Sequence, residues 1–351
     1  MRQLVIRCIR DKDWRCRMGT VLALALLFAV VIYGRIALSG SPTPLRMVVY
    51  AFSTQEEVMT HSIFPAFEEA WEAETGQDLA IEGVFGPSAT LAGQINLGAP
   101  ADVVLFSNAQ DVMHLRVGRR VRADNQPLVF AHTPMVIVAR PGNPYAITGF
   151  SDLAQPGLRL LHADPRTSGA GQWAVLAEYG SALPEVGSQA VAQAQVRAIW
   201  DNVRLLGASA RATMTLFELG AGDAFVTYEH DALLAQERGA ELEVVVPPRT
   251  IVAEHVAVIV DDNVTPSERL AAQAFLDYLL SEVGQQALTQ YHLRPADLEG
   301  EQFPEISQPF AVEDLGDWSQ AYTQLVEGLW QAEIEPRLRL EPTPWVLDTG
   351  E

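Results

Sequence analysis

Lysine is almost missing from this 351-residue chain. Lys12 stands alone, so a phosphate-binding loop ending in Gly-Lys-Ser/Thr and a Schiff-base lysine are both excluded from everything after it. Cysteine is as scarce: Cys8 and Cys16 both lie in the N-terminal flank, so the remaining chain has no disulfide to draw on and must be held by packing. No cysteine follows the apolar run described below, which removes a lipid-modified anchor. Positive charge is short overall, with 24 Lys and Arg against 44 Asp and Glu. Setting aside residues 1–46 removes eight basic and two acidic residues, leaving 16 against 42, or a formal charge of −26. A body of that charge does not bind nucleic acid or anionic lipid through a general field. Local dipoles still outweigh distant, screened carboxylates at a few ångströms, so an anionic ligand is not excluded. Catalytic signatures are missing as well. GxSxG is absent, and His61, His114, His132, His162, His230, His255 and His292 show no HxH or HExxH spacing, so neither a serine nucleophile motif nor a metal site is readable.

What is present begins with "MRQLVIRCIRDKDWRCR", six Lys/Arg against two Asp, followed by an uncharged run from Met18 to Gly34. Counted through Leu38, this segment has about the length that crosses a bilayer, and Arg35 near its outer end can snorkel to the headgroups. The cationic flank stays in the cytoplasm, which sends the rest of the chain to the periplasmic, extracytoplasmic side. Two processing states fit: a signal peptide cut near Ala37-Leu38-Ser39, or an uncut anchor at 18–38 in the inner membrane followed by the linker "SGSPTPL".

The body alternates strand-like and helix-like runs. "RMVVYAF" (46–52) reads as a buried strand, and the next stretch as a helix capped by Ser53 or Thr54 and ended by Gly76. "LAIEGVFG" (79–86) and "ADVVLFS" (101–107) are further strands, with a short helix between them. A second set starts at "TPMVIVARPGNP" (133–144) and runs through "GLRLLHADP", "DAFVTYEHDALL", "LEVVVPP" and "HVAVIVDDN" to one long helix, "TPSERLAAQAFLDYLLSEVGQQALTQY". This order predicts an α/β fold with parallel strands. A last helix-like stretch lies around "LGDWSQAYTQLVEGLWQAEI", and the Pro-rich end from 336 to 351 reads as an unstructured tail.

One stretch stands out: "LRLLHADPRTSGAGQWAVLAEYG", where the small residues Thr167-Ser168-Gly169-Ala170-Gly171 separate a strand from a helix. A helix beginning near Ser168 points the N–H groups of Gly169, Ala170 and Gly171 above the strand's carboxyl end. A dianion there gains the helix's positive end and charge-assisted hydrogen bonds worth about 1.5–3 kcal/mol each. Taken alone, the stretch is explained better by a plain N-cap at Thr167 or Ser168. Gly169 to Ala174 also fits GxGxxA, but five residues intervene between strand and first glycine, and an exported protein meets little nicotinamide cofactor. Recurrence changes the balance. Strand, small polar turn, helix appears again at "YAFSTQEE" (Ser53), "FGPSATLAG" (Ser88) and "SARATMTLFE" (Ala212-Thr213), so four helix starts can converge on one compact anion.

These residues carry a family likeness. "PGLRLLHADPRTSGAGQWAVLAEYGSAL" and "WDNVRLLGASARATMTLFELGAGDAFVTYEHDALL", with "YHLRPAD", "FPEI" and "DLGDWSQA" near the C-terminus, resemble the periplasmic sulfate-binding proteins of ABC transporters. The likeness runs from Met47 to Glu335 and implies a two-lobed α/β periplasmic-binding-protein fold. The implied lobes are 47–132 with 251–335, and 133–250, hinged where strands cross near Thr133 to Val138 and Thr250 to Val260. It further implies a monomeric receptor, not an enzyme, that needs no cofactor and no metal and hands sulfate to a permease driven by an ATPase. Ligand contacts fall on Ser88, on Ser168, Gly169 and Ala170, and on Ala212 with Thr213. The family's indole donor falls at Tyr228, a departure, and its acidic residue near the first helix at Phe52, a second departure that moves the contact to Ser53. "VFGPSATLAGQINLGAPADVVLFS" is also reminiscent of molybdate-binding relatives, so molybdate or tungstate stands as an alternative ligand. Rival classes are an exported serine hydrolase using Ser168 or Ser88, and an anchored sensor.

Physics supplies a rule between anions. Sulfate and molybdate carry no proton, so a site of donors suits them, whereas hydrogen phosphate needs an acceptor. No carboxylate sits inside the four turns, though Asp164 and Glu229 stand next to them. Trp71, Trp173, Trp200 and Trp318 fall on apolar helix faces and read as core, His162 reads as structural, and Arg166 and Arg211 flank the turns either as steering charges or as solvated ones. The expectation is a dianion gripped by neutral dipoles with no formal cation beside it.

Overall fold

The chain is described by a computed structural model covering residues 44–297, 303–338 and 340. The anchor or signal segment at 18–38 and the tail beyond 340 lie outside the described residues. Among the described residues, no helix is long and apolar enough to cross a membrane.

Runs of β-branched and aromatic residues with both faces apolar form the sheet, as expected for strands covered by helices on either side. The strands are β1 (Leu45–Phe52), β2 (Leu79–Gly86), β3 (Val103–Phe106), β4 (Leu128–Ala139), β5 (Leu160–Ala163), β6 (Val203–Gly207), β7 (Ala224–Tyr228), β8 (Glu243–Val245), β9 (Arg249–Ile259) and β10 (Gln308–Phe310). Their order is β2-β1-β3-β9-β4-β7-β5-β6, with β10 on β9 and β8 on β4. Between them run α1 (Phe64–Thr75), α2 (Ser88–Asn96), α3 (Ala109–Val117), α4 (Gly169–Val186), α5 (Gln189–Trp200), α6 (Ala210–Glu218), α7 (Glu229–Glu237), α8 (Pro266–Leu280) and α9 (Glu282–Gln290).

The expectation of parallel strands holds for part of the sheet. β1 pairs parallel with β2 and β3, and β5 with β6 and β7, but β4 and β9 run antiparallel to each other and to β7 and β3. β4 pairs with β9 over 128–134 and then with β7 over 135–139, so one strand carries the chain from one half of the sheet to the other. Both β4 and β9 begin earlier than their apolar runs suggest, at Leu128 and Arg249, because "LVFAH" and "RTIVAE" are recruited by pairing rather than by periodicity.

Helix ends follow local chemistry. The long C-terminal helix splits at Ser281, whose hydroxyl accepts from Gly284 N–H at 3.1 Å and caps α9. α4 is apolar almost throughout and ends at Gly187 with φ 62°, a left-handed cap that glycine adopts without strain. Beyond Trp318 the chain makes one turn of α-helix and then winds as a π-helix from Tyr322 to Ile334, whose Leu325, Leu329 and Trp330 enter the main core. Trp173 and Trp200 are buried, while Trp71 and Trp318 are partly exposed and pack on that same core. Inside it, Glu178 of α4 accepts from His162 Nε2 and Trp200 Nε1, both at 2.7 Å.

Candidate functional site

Each strand that points at the middle of the molecule ends in a short polar turn, and the turns meet. β1 runs into a 3-10 turn at Ser53–Gln55, which packs against α6. β2 ends at Gly86-Pro87, and Ser88 starts α2. β3 ends at Ser107-Asn108, with Asn108 capping α3 by accepting from Asp111 N–H at 3.2 Å. β5 ends in the turn that leads through Ser168 to α4, β6 in Ser209 at the start of α6, and β7 in Tyr228 at the start of α7. The contacts between turns are direct. Ala89 N–H donates to Thr167 O at 3.1 Å, Thr167 Oγ1 to Ala208 O at 2.8 Å, and Asn108 Nδ2 to Gln172 Oε1 at 2.9 Å.

Ser107 is the hub. Its N–H donates to Ser88 Oγ at 3.1 Å, the two hydroxyls lie 3.2 Å apart, and its carbonyl accepts from Trp173 Nε1 at 2.8 Å. Gly169 comes so close that a Cβ there would sit 1.7 Å from Ser107 Oγ. His255 of β9 lies 3.3 Å from the same carbonyl through Nδ1, and its ring packs on Phe52 and Tyr228. The Tyr228 hydroxyl is fully buried and makes no hydrogen bond of regular geometry, with the Ser107 side chain as its polar neighbour; burial, opposed by Ser107, pushes it far up from its ordinary value, so it stays a donor. Both amide atoms of the buried Gln55 are unpartnered too. Buried polar groups are normally paired. Unpaired donors beside open helix starts make a receptacle for an anion: Ser88 Oγ is engaged by Ser107 and Ser168 Oγ caps nothing, so neither serine is paired with a base among the described residues.

The comparisons bear on what that receptacle serves. Residues 48–294 match the family described as bacterial extracellular solute-binding protein. The chain is 34% identical over 272 residues to a sulfate-binding protein of Escherichia coli, covering 73% of this chain and 82% of that one. It belongs to the periplasmic sulfate-binding family of solute-binding proteins. A thiosulfate-binding protein of Pseudomonas aeruginosa is 31% identical, covering 75% of this chain and 84% of its own length. The solved sulfate-binding protein SubI from Mycobacterium tuberculosis superposes with a TM-score of 0.73 at 26% identity, covering 80% of this chain and 99% of that one.

Within this solute-binding fold the residues singled out in the sequence sit as follows. Ser88, Ser168, Gly169, Ala170 and Tyr228 lie at the converging turns, and the N–H groups of Gly169 and Ala170 have no bond within the chain among the described residues. Gly171 N–H, by contrast, donates back to Ser168 O at 3.1 Å. Ser53 opens the 3-10 turn and is half-buried. Ala212 and Thr213 are spent inside the helix: Ala212 N–H donates to Ser209 Oγ at 3.1 Å and Thr213 N–H to Ser209 O at 3.0 Å. The open amides of that turn are therefore those of Ala210 and Arg211, two residues earlier, because Ser209 acts as N-cap. Ser107 and Asn108 escaped the sequence reading, although "VVLFSNAQDV" repeats the same strand, small polar turn and helix.

Of the nearby carboxylates, Asp164 and Glu229 are held by arginines, whereas both oxygens of Asp111 are buried without a hydrogen-bond partner. Asp164 accepts from Arg166 Nη2 and the Arg166 N–H, both at 2.9 Å, and Arg166 also reaches Glu335 at 2.7 Å, so this exposed arginine braces the turn. Glu229 takes a bidentate pair from Arg294 at 2.8 and 2.9 Å. Asp231 is buried, and burial first, against Arg211, pushes it up to about 6. Asp111 is buried and likewise raised by burial, with His114 Nδ1 3.7 Å away.

Proposed function

We propose that this protein is an extracytoplasmic receptor that binds sulfate between two lobes and delivers it to an ABC permease. The single observation that carries the ligand class is the meeting at Ser107 of turns whose buried donors lack partners, chiefly Tyr228 Oη and the open amides of Gly169 and Ala170. A proton-free dianion satisfies such donors, and the two carboxylates closest in sequence are already held by arginines, so hydrogen phosphate finds no acceptor in them. The lobes are 47–132 with 251–335, and 133–250, closing about β4 and β9, with the shared strand β4 as the hinge. Ligand contacts are Ser53, Ser88, Ser168, Gly169, Ala170 and Tyr228, joined by the amides of Ala210 and Arg211 at the turn first assigned to Ala212 and Thr213. The protein acts as a monomer, and residues 18–38 tether it to the inner membrane or are removed.

Thiosulfate is the second reading, favoured by the 31% identity to a thiosulfate-binding protein. It is also a proton-free dianion of similar shape. Calorimetric titration of the full chain with sulfate, thiosulfate, molybdate and phosphate separates the readings. Sulfate binding at least ten times tighter than the other three supports the assignment, and a preference for thiosulfate or molybdate replaces it.

A further inference from the structure

Ser107 touches several arms of the proposed site and is itself assigned to none of them. Its N–H donates to Ser88 Oγ at 3.1 Å, and its carbonyl accepts from Trp173 Nε1 at 2.8 Å and faces His255 Nδ1 at 3.3 Å. The backbone is therefore pinned on both sides, by groups that are themselves buried. Its hydroxyl has three neighbours: Ser88 Oγ at 3.2 Å, the place that a Gly169 side chain would occupy, and the Tyr228 hydroxyl. Gly169 and Trp173 stand four residues apart on α4, on one face of the helix. The first turn of α4 is thus seated on Ser107 at two points, and Asn108 Nδ2 adds a third through Gln172 Oε1 at 2.9 Å.

Counting hydrogens assigns the hydroxyl its work. A serine oxygen has one hydrogen to give and two lone pairs to receive. Ser88 Oγ already receives the Ser107 N–H. Were Ser88 to spend its hydrogen on Ser107 Oγ, it would have none for an anion. With the hydrogen running from Ser107 Oγ to Ser88 Oγ instead, both lone pairs of Ser88 are filled from within the protein, and its own hydrogen points outward. Tyr228 keeps its hydrogen for the anion as well. By filling the space beside Gly169, the same hydroxyl also fixes how far Ser88 lies from the open amides of α4.

We propose that Ser107 sets the selectivity of the site, turning the Ser88 hydrogen toward the anion and spacing Ser88 from the α4 amides to fit the short bonds of sulfate. Molybdate, with longer bonds to oxygen, and thiosulfate, with a larger terminal sulfur, fit that spacing less well. The proposal rests on the oxyanion reading of the site. Ser107 is a positioning residue: it acts through Ser88 and Gly169 and does not touch the anion. Discrimination by size needs a spacing that does not relax. Close packing around the buried Trp173 and His255 anchors supplies that stiffness.

The test is calorimetric titration of the full chain, as wild type and as Ser107→Ala, with sulfate, molybdate and thiosulfate. Alanine keeps the backbone bonds to Ser88, Trp173 and His255 and deletes only the oxygen. The expected result is sulfate binding weakened about tenfold, the value of one net hydrogen bond, while molybdate holds within about twofold, so that the preference for sulfate falls at least about fivefold. Thiosulfate follows molybdate. A residue that is merely structural lowers all three alike, so an unchanged preference, whether the three anions weaken together or not at all, overturns the proposal and leaves the receptor reading intact. Should Ser107→Ala fail to fold, a crystal structure of the wild type with thiosulfate decides. The terminal sulfur is expected away from Ser88 and Gly169, and a sulfur seated between them overturns the proposal. A wild-type protein that favours molybdate or thiosulfate over sulfate, or binds none of the three, overturns the sulfate reading and this proposal with it.

Discussion

Replacing Gly169 by alanine tests the convergence of the turns most sharply. A Cβ at this position would lie 1.7 Å from Ser107 Oγ, 2.8 Å from Asn108 Nδ2 and 3.0 Å from Ser107 Cβ. The Ser107 hydroxyl can rotate out of the way only by leaving Ser88, and Ser107 Cβ cannot, so the hydroxyl loses its place and the Gly169 and Ser107 turns must part by about 0.5 Å. That separation strains three hydrogen bonds that cross the same gap: Ala89 N–H to Thr167 O, Asn108 Nδ2 to Gln172 Oε1, and Trp173 Nε1 to Ser107 O. At about 1 kcal/mol net for each bond, the loss is about 2–3 kcal/mol of the closed, ligand-gripping arrangement. Sulfate affinity measured by calorimetry should therefore fall by roughly 30- to 150-fold. Gly93→Ala in α2 is the control, since a Cβ there meets nothing within 4 Å and alanine favours the helix. Its affinity should equal that of the wild type. Gly169→Ala binding sulfate within twofold of the wild type would refute the idea that these turns close on one ligand.

Three further outcomes follow from the same geometry. Ser168→Ala, which removes one hydroxyl donor while leaving the amides of α4, should weaken sulfate about tenfold by calorimetry. Glu178→Leu leaves His162 and Trp200 with buried, unpaired N–H groups and should cost about 3–5 kcal/mol in a urea melt, with the fold lost outright as the extreme case. Asp231 is raised to about 6 from 3.8, so its folded form holds a proton more tightly than the unfolded chain. Its contribution favours the fold at low pH and is lost as pH rises from about 4 to about 6, an effect of up to about 3 kcal/mol. Sulfate-free melts of Asp231→Asn across that window should lack the part of the pH slope that the wild type shows there.

Much of the fold was legible because its signals are local. β2 falls on 79–86 as read, and the turn at Thr167–Gly171 marks the start of α4, because apolar runs bounded by Gly, Pro and Ser are enough to set those ends. The antiparallel crossing strands were not legible. β4 and β9 are set by pairing with distant partners, and a buried run looks the same whichever way its neighbour runs. The capping geometry at α6 was also hidden, since "ASARATM" offers two plausible starts and only the bond from Ala212 to Ser209 Oγ fixes the register. His255 was invisible for a plainer reason. A lone histidine in an apolar strand carries no spacing signal, and its meaning comes from Ser107 and Tyr228, which are far from it along the chain.

A crystal structure of the full chain with sulfate bound tests the central claim most directly. The account predicts one tetrahedral anion at the Ser107 hub, its oxygens about 2.7–3.2 Å from the Gly169 and Ala170 amides, the Ser88 and Ser168 hydroxyls and Tyr228 Oη. Sulfate held instead by an arginine guanidinium away from those turns, or no anion at the hub at saturating concentration, would contradict it.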